Sequence, residues 1–274
     1  MLREANVTLD KTKWDSAVLN NPDGWGISVP DMEGQLLTIR STEIADDALY
    51  ELLHTEYKED KVMIHLRYTT AGETSLRNAH PFPVLEYEAD GVDVRMAHNG
   101  TLPDWTPGRL ALNNRESDTR CFVGGYVRPL MKRLIKGMYI DDIITDPFVD
   151  TLLDSHLTSM SVLTFIDGFG NFNIVNEKGN GGFTDDDGTY FSNKYSHDPE
   201  HRLPYNYKSS YVGKQTTPSG KTGNSSKVGT VLGTTMKQTT TFTDCNTPKF
   251  TDKFRLPDIK ELHLLSDETL ETMV

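Results

Sequence analysis

Short runs of apolar residues, separated by polar turns, occupy the first 195 residues and predict a mixture of strands and helices. Strand-type patterns are found at residues 26–29, 35–39, 62–68, 92–97, 161–166, 171–176 and 189–192. Helical spacing of apolar residues is found at residues 8–19, 46–55, 118–135 and 142–157. Strands followed by two helices and then by further strands are typical of an α+β fold rather than of a βαβ alternation.

The pattern changes after residue 195, and the predicted domains follow that change. Residues 1–195 are expected to form one folded domain. Residues 196–252 are predicted to be a low-complexity flexible linker, because Ser, Thr, Gly and Lys dominate there and leave too little apolar surface to offset the entropy of ordering. Residues 253–274 regain a helical spacing of apolar residues, which predicts a short C-terminal helix or a docking peptide.

Composition and charge exclude several classes of protein. Lys and Arg number 28 against 40 Asp and Glu, and the net charge of −12 argues against a protein that coats nucleic acid. No apolar run reaches the roughly 18–20 residues that cross a bilayer, and the N-terminus lacks a signal-peptide pattern. The two cysteines, Cys121 and Cys245, cannot make a disulfide framework. We therefore expect a cytoplasmic protein with no nucleic-acid and no membrane partner.

Polar residues at the ends of predicted elements offer a set of groups for recognising a small zwitterion. Arg67 ends a strand and is a planar, bidentate partner for a carboxylate. Asp118 begins a helix, where it can bind an ammonium group or merely cap the helix. Asn99 and Gly100 combine a side-chain amide with a backbone N–H, as an oxyanion hole requires, although this dipeptide is also a common hairpin turn. Together these groups suit a free α-amino acid with a reactive side-chain carbonyl.

Metal and phosphate sites are not indicated. His65, His80 and His98 have no tight ligand spacing. Residues 185–188 lack the alternating ligands of a calcium loop. Residues 179–182 are interpreted as a turn rather than a phosphate loop, because neither a Lys-Ser/Thr pair nor a helix follows them. We therefore expect no metal and no organic cofactor.

Five short segments, taken together and in order, resemble the class II glutamine amidotransferases of the N-terminal-nucleophile (Ntn) hydrolase superfamily. They are NPDGWGI (21–27), HLR (65–67), NAHPF (78–82), HNGT (98–101) and SDT (117–119). The segment YFSN (190–193) is similar to the last strand of short, stand-alone members, some of them from phages. The resemblance covers roughly residues 5–195, and it implies a four-layer α-β-β-α sandwich.

The resemblance also implies an activity, the hydrolysis of the L-glutamine side-chain amide to glutamate and ammonia. The α-carboxylate of glutamine would bind Arg67 and its α-amine Asp118, while Asn99 and Gly100 would hold the tetrahedral oxyanion. In the family a cysteine at the first position of the mature chain attacks the amide, and its own α-amine acts as the base. Further residues implied to bind or surround the substrate are Gly24, Trp25, Thr69, His80 and His98.

The chain departs from the family at the nucleophile, because it opens with Met1 and Leu2 instead of a Met-Cys pair. Cys121 falls inside a predicted helix, where a buried core cysteine is expected, and Cys245 falls in the predicted linker. One hypothesis is an active amidotransferase whose start lies a few residues upstream of Met1. The other is a catalytically inactive pseudoenzyme that acts as a glutamine-binding or protein-interaction module.

The residues after 195 are too few for a nucleotide-using synthase domain. The resemblance therefore implies either a separate enzyme that accepts the ammonia or a bare glutaminase. A third hypothesis is a binding module of another class. In that case the basic stretch 208–250, with six lysines against one aspartate, would contact an anionic partner.

Overall fold

The computed structural model describes residues 1–106, 115–137 and 143–194. The predicted linker, the predicted C-terminal helix and Cys245 lie outside these ranges. The strands are β1 (Leu2–Arg3), β2 (Trp25–Pro30), β3 (Leu36–Ser41), β4 (Val62–Leu66), β5 (Phe82–Leu85), β6 (Val94–Asn99), β7 (Val162–Asp167), β8 (Phe172–Val175), β9 (Phe183–Thr184) and β10 (Tyr190–Phe191). The helices are α1 (Lys11–Asn20), α2 (Asp47–Thr55), α3 (Tyr87–Asp90), α4 (Asp118–Phe122), α5 (Arg128–Leu134) and α6 (Pro147–Asp154).

The strands form two antiparallel sheets, so the described residues have a mixed α/β architecture. The first sheet has the order β3-β2-β4-β1-β10-β9, and the second has the order β5-β6-β7-β8. Leu2 in β1 pairs with Met63 of β4 on one side and with Tyr190 of β10 on the other. The first strand of the chain therefore lies inside the first sheet, where it joins two segments that are far apart in sequence.

Three clusters of buried side chains hold the elements together. The first packs α1 and α2 on the first sheet through Trp14, Leu53 and Ile64. The second lies between the two sheets and includes Leu2, Ala97 and Val162. The third packs α4, α5 and α6 on the second sheet. Burial of these side chains is the main favourable term in folding.

Capping residues set where the helices begin. The carboxylates of Asp10, Asp46 and Asp146 accept hydrogen bonds from backbone N–H groups in the first turns of α1, α2 and α6. The Ser117 hydroxyl does the same for α4. Each satisfies an N–H group that the helix itself leaves without a partner.

Most predicted elements are confirmed, but the structure also contains strands that the pattern did not indicate. The helix predicted at 118–135 corresponds to α4 and α5, which a π-helical segment at Val123–Val127 joins. The strand β1 was missed because it is two residues long and carries a charged side chain. The strand β5 was missed because Pro83 argues against a strand. Proline is tolerated there because β5 lies at the edge of the second sheet.

Arg3 attaches β1 to the end of α2. Its side chain is fully buried, and the guanidinium donates to the carbonyl oxygens of Leu53 (2.5 Å), Tyr57 and Asp60 (2.9 Å). These carbonyls lie at and just beyond the C-terminal end of α2, where a cation also interacts favourably with the helix dipole. This charged residue in the middle of a sheet therefore stabilises the fold by joining β1 to α2.

Replacing Arg3 by Met should destabilise the protein by about 2–3 kcal/mol, because buried carbonyl groups lose a charged donor. The free energy of unfolding, measured with urea, checks this expectation. Arg115→Met is the matched control, since the Arg115 side chain is 79% exposed and its loss should change stability little. Equal stability of the two variants would contradict the role given to Arg3.

Candidate functional site

A cavity of about 430 Å³ opens where β4 and β6 end and α4 begins. This volume lies in the range of small-molecule sites. Most of the predicted site residues line it: Arg67, Thr69, His80, His98, Asn99, Gly100 and Asp118. Tertiary structure thus brings together segments that are separated by as many as fifty residues of chain.

Gly24 and Trp25 do not belong to this lining. The Gly24 carbonyl accepts a hydrogen bond from the Arg67 backbone N–H (2.8 Å). Gly24 has a φ of +120°, and a Cβ there would lie 2.4 Å from the Ser41 carbonyl oxygen, so only glycine fits. Trp25 packs against the cluster of α1 and α2. Both residues support the strand end that carries Arg67.

Arg67 is 5% exposed and is held by the loop that follows it. Its guanidinium donates to the carbonyl oxygens of Glu73 (3.0 Å) and Ser75 (3.2 Å). Burial lowers the pKa of Arg67, and the nearby Asp23 carboxylate partly offsets this effect. No salt bridge joins Arg67 to a carboxylate within the described ranges. The guanidinium has further N–H donors for an anion that enters the cavity.

Asp118 lies at the start of α4, but Ser117 rather than Asp118 is the capping residue. The Asp118 carboxylate accepts hydrogen bonds from the backbone N–H groups of Leu102 (2.8 Å) and Thr119 (2.7 Å). It is buried and lines the cavity. A carboxylate oxygen can accept more than one hydrogen bond, so the group can also bind an ammonium.

Asn99 is the last residue of β6 and Gly100 follows it, and both line the cavity. Asn99 Nδ2 donates to the Ser192 hydroxyl (2.8 Å), and Asn99 Oδ1 accepts from Asn180 Nδ2 (3.2 Å). Gly100 has a φ of +130°, and a Cβ there would lie 2.4 Å from the Met160 carbonyl oxygen. The backbone at Gly100 therefore requires glycine. Sequence reasoning missed Asn180 as a site residue, because GNGG at 179–182 was interpreted as a turn.

Three buried histidines form another wall. The rings of His65 and His80 are 4.1 Å apart, and the His98 backbone N–H donates to His80 Nδ1 (3.4 Å). His98 Nδ1 bonds to the Thr119 hydroxyl (2.8 Å). Burial lowers the pKa of all three rings, that of His65 to about 3. These rings are therefore neutral at pH 7 and leave Arg67 as the cationic group of the lining.

Over the described ranges, no group of three or more His, Cys, Asp or Glu residues could hold a metal ion.

Met1 also lines the cavity, at the end of β1. Its α-amine donates to the Ile64 carbonyl (2.8 Å), and the Ile64 N–H donates to the Met1 carbonyl (2.9 Å). Burial lowers the pKa of the α-amine to about 5. Cys121 packs instead in the cluster beneath the second sheet, so the cavity lining contains no thiol among the described residues.

Beyond Met1, the cavity continues the line of β1 between two neighbouring chain segments. Backbone groups alternate along a strand, so those of Leu66 face the same side as those of Ile64. Leu66 on one side and residues 191–193 on the other both line the cavity. An extended segment in line with β1 would therefore run through the cavity.

In the part of the chain that the structure describes, none of the helices is both long enough and apolar enough to span a bilayer.

The buried histidines predict a loss of stability in acid. The pKa of His65 has its ordinary value of 6.5 in the unfolded chain and is lowered to about 3 by burial in the folded protein, so the unfolded state binds more protons between these values. The free energy of unfolding should therefore fall as the pH drops from 6 to 4, by about 1.4 kcal/mol per pH unit for one such group. His65→Gln should reduce that slope by about one proton, as measured by urea unfolding at several pH values. An unchanged slope would contradict this interpretation.

Comparison with known proteins finds similarity to glutamine amidotransferases. The family model for class II glutamine amidotransferases matches residues 4–117. Amidophosphoribosyltransferase 2, chloroplastic, from Arabidopsis thaliana is 28% identical over 150 residues, which are 49% of this chain and 26% of the relative. A solved B. subtilis glutamine phosphoribosylpyrophosphate amidotransferase, complexed with ADP and GMP, is 15% identical over 61% of this chain and 34% of that one, with a TM-score of 0.34. The chain spans about a quarter of the curated relative's length. The sequence match supports a class II glutamine amidotransferase domain in this chain, over residues 4–117.

Proposed function

We propose that the cavity binds L-glutamine, with its α-carboxylate on Arg67 and its α-amine on Asp118. The observation that carries this proposal is that both groups line one cavity and are each anchored by backbone atoms rather than by each other. Buried ionic groups are costly unless they are paired, so a zwitterion with opposite charges is the ligand that this arrangement favours.

The side chain of glutamine would then reach the wall formed by Asn99 and Gly100. An amide N–H from Asn99 and the backbone N–H of Gly100 are the donors proposed for the oxyanion. Thr69, His80 and His98 complete the pocket, and the neutral imidazoles add no charge that would compete with Arg67 for the α-carboxylate. Gly24 and Trp25 are proposed to act from outside the lining, through the strand end that carries Arg67.

We propose that the reaction is hydrolysis of the side-chain amide through a cysteine that continues β1 upstream of Met1. The thiolate attacks the amide carbon, the C–N bond breaks and the nitrogen leaves as ammonia after it is protonated. Water then cleaves the thioester, which yields glutamate and restores the thiol. Glutamine and water are thus converted to glutamate and ammonia. The ammonia would either pass to a separate enzyme or be released as the product of a bare glutaminase.

The strand geometry specifies where such a cysteine would have to stand. Leu2 faces the second sheet, whereas Arg3 faces α2. Side chains alternate along a strand, so a residue one or three positions before Met1 would face the second sheet, as Leu2 does. Ala97 faces the first sheet, and Asn99 is two residues further along the same strand. The Asn99 side chain therefore also faces the first sheet, toward the proposed cysteine.

The three clusters of buried side chains support a four-layer α-β-β-α arrangement of the fold.

Glutamine binding tests the first part of the proposal. Isothermal calorimetry should detect binding of L-glutamine to the full chain, and Arg67→Lys should weaken it about tenfold or more. The physical reason is that a charge-assisted bidentate contact contributes about 1.5–3 kcal/mol. Arg115→Lys, on an exposed side chain, should bind as the unmodified chain does. Equal affinities for the two variants would contradict the assigned role of Arg67.

Extended chains test the second part. Three forms would begin with cysteine placed one, two or three residues before Met1, and ammonia release from L-glutamine would be measured. We expect activity from the first or third form and none from the second, because the second directs the thiol toward the helices. Serine in place of the cysteine is the matched control and should abolish release. Binding without turnover in every form would support the alternative, an inactive glutamine-binding module.

A further inference from the structure

The carboxamide of Asn99 is held between two side chains from the last part of the domain. Asn180 Nδ2 donates to Asn99 Oδ1 (3.2 Å), and Asn99 Nδ2 donates to the Ser192 hydroxyl (2.8 Å). Asn180 and Ser192 both line the cavity. They lie more than eighty residues after Asn99 in the chain. The oxyanion-hole amide is therefore oriented by a region that the family match at residues 4–117 does not reach.

The turn that carries Asn180 is fixed to its surroundings. Asn180 has a φ of +54°, and its backbone N–H donates to the Ser159 carbonyl (3.0 Å). Asn176 Nδ2 ties the same turn to the Ser161 carbonyl (2.7 Å). A Cβ at Gly179 would lie 2.6 Å from that same carbonyl oxygen, and one at Gly182 would lie 2.4 Å from the Tyr190 hydroxyl. The close packing requires glycine at 179 and 182, and the hydrogen bonds hold the backbone from which Asn180 presents its side chain.

The donor count explains why this contact matters. A carboxamide has two N–H bonds and one oxygen. Ser192 takes one N–H bond of Asn99, and Asn180 takes the oxygen, so the second N–H bond is left for a ligand in the cavity. If the carboxamide rotated by half a turn, its oxygen would face the carbonyl oxygen of glutamine, and the two acceptors would repel each other.

We infer that Asn180 is a positioning residue for the proposed glutamine site, because it holds Asn99 with an N–H bond directed at the side-chain carbonyl of the substrate. The inference rests on the proposed function. It gives the GNGG segment at 179–182 a role, since that segment provides the backbone conformation and the close packing that fix Asn180.

Two substitutions of Asn180 separate its roles. Asn180→Gly removes the side chain but keeps a residue that adopts a positive φ readily. L-glutamine binding should then weaken by about three- to tenfold, as expected for one hydrogen bond. Asn180→Asp keeps the shape but can only accept hydrogen bonds at neutral pH, so it should turn the Asn99 carboxamide around. Binding to this variant should weaken more than binding to Asn180→Gly.

Asn6 provides the matched controls. It also has a positive φ, of +61°, but it is exposed and does not line the cavity. Asn6→Gly and Asn6→Asp should bind L-glutamine as the unmodified chain does, by isothermal calorimetry. Unchanged affinity in Asn180→Gly would overturn the inference. Tighter or unchanged binding in Asn180→Asp would also overturn it. That variant holds the Asn99 carboxamide in the opposite orientation, so unchanged binding would mean that the orientation does not matter to the ligand.

A second measurement separates this inference from the proposed function. The side-chain ¹⁵N–¹H signals of Asn99, assigned with Asn99→Asp, report the orientation of the carboxamide in the free protein. These signals should move in Asn180→Gly and stay in place in Asn6→Gly. If the unmodified chain fails to bind L-glutamine, the proposed function fails, yet signals that move in Asn180→Gly still show that Asn180 orients the Asn99 carboxamide. Signals that stay in place in Asn180→Gly overturn this positioning role, whether or not glutamine binds.

Discussion

The pairing of β1 between β4 and β10 is the constraint on which the rest of the structure depends. Leu2 places one side chain in the layer between the sheets, and Arg3 anchors the strand on carbonyl groups at the end of α2. Because β10 comes from the end of the domain, this pairing closes the sheet around residues that are distant in sequence. Met1, at the end of β1, lines the cavity, so the pairing that stabilises the sheet also positions part of the wall of the site.

Backbone groups fix the two charged side chains of the cavity in place. Arg67 is fixed by the carbonyl oxygens of residues 73 and 75, and Asp118 by the N–H groups of residues 102 and 119. Each ion therefore has an oriented set of dipoles around it and keeps capacity for a ligand. The three histidines are neutral because they are buried, so they add no charge to the cavity beside Arg67 and Asp118.

The region after β7 contributes more to the site than its composition indicates. Asn180 and Ser192 orient Asn99, and their segments also pack on the start of β7 and on β10. A glycine-rich segment appears unspecific in a sequence because glycine has no side chain to read. Here the absence of Cβ atoms permits the close approach that fixes the turn, and this property is visible only once the neighbouring backbone is in place.

The sequence by itself determined most of the helices and strands, because their periods and their capping residues are local properties. It also indicated Arg67, Asn99 and Asp118, since their residue types at element ends suit a small zwitterion. Tertiary structure decided what no local pattern encodes: the position of β1 inside a sheet, the exclusion of Gly24 and Trp25 from the cavity lining, and the contact of Asn180 with Asn99. These features depend on pairing between residues far apart in the chain, and the free energy of such pairing depends on the whole fold rather than on neighbouring residues.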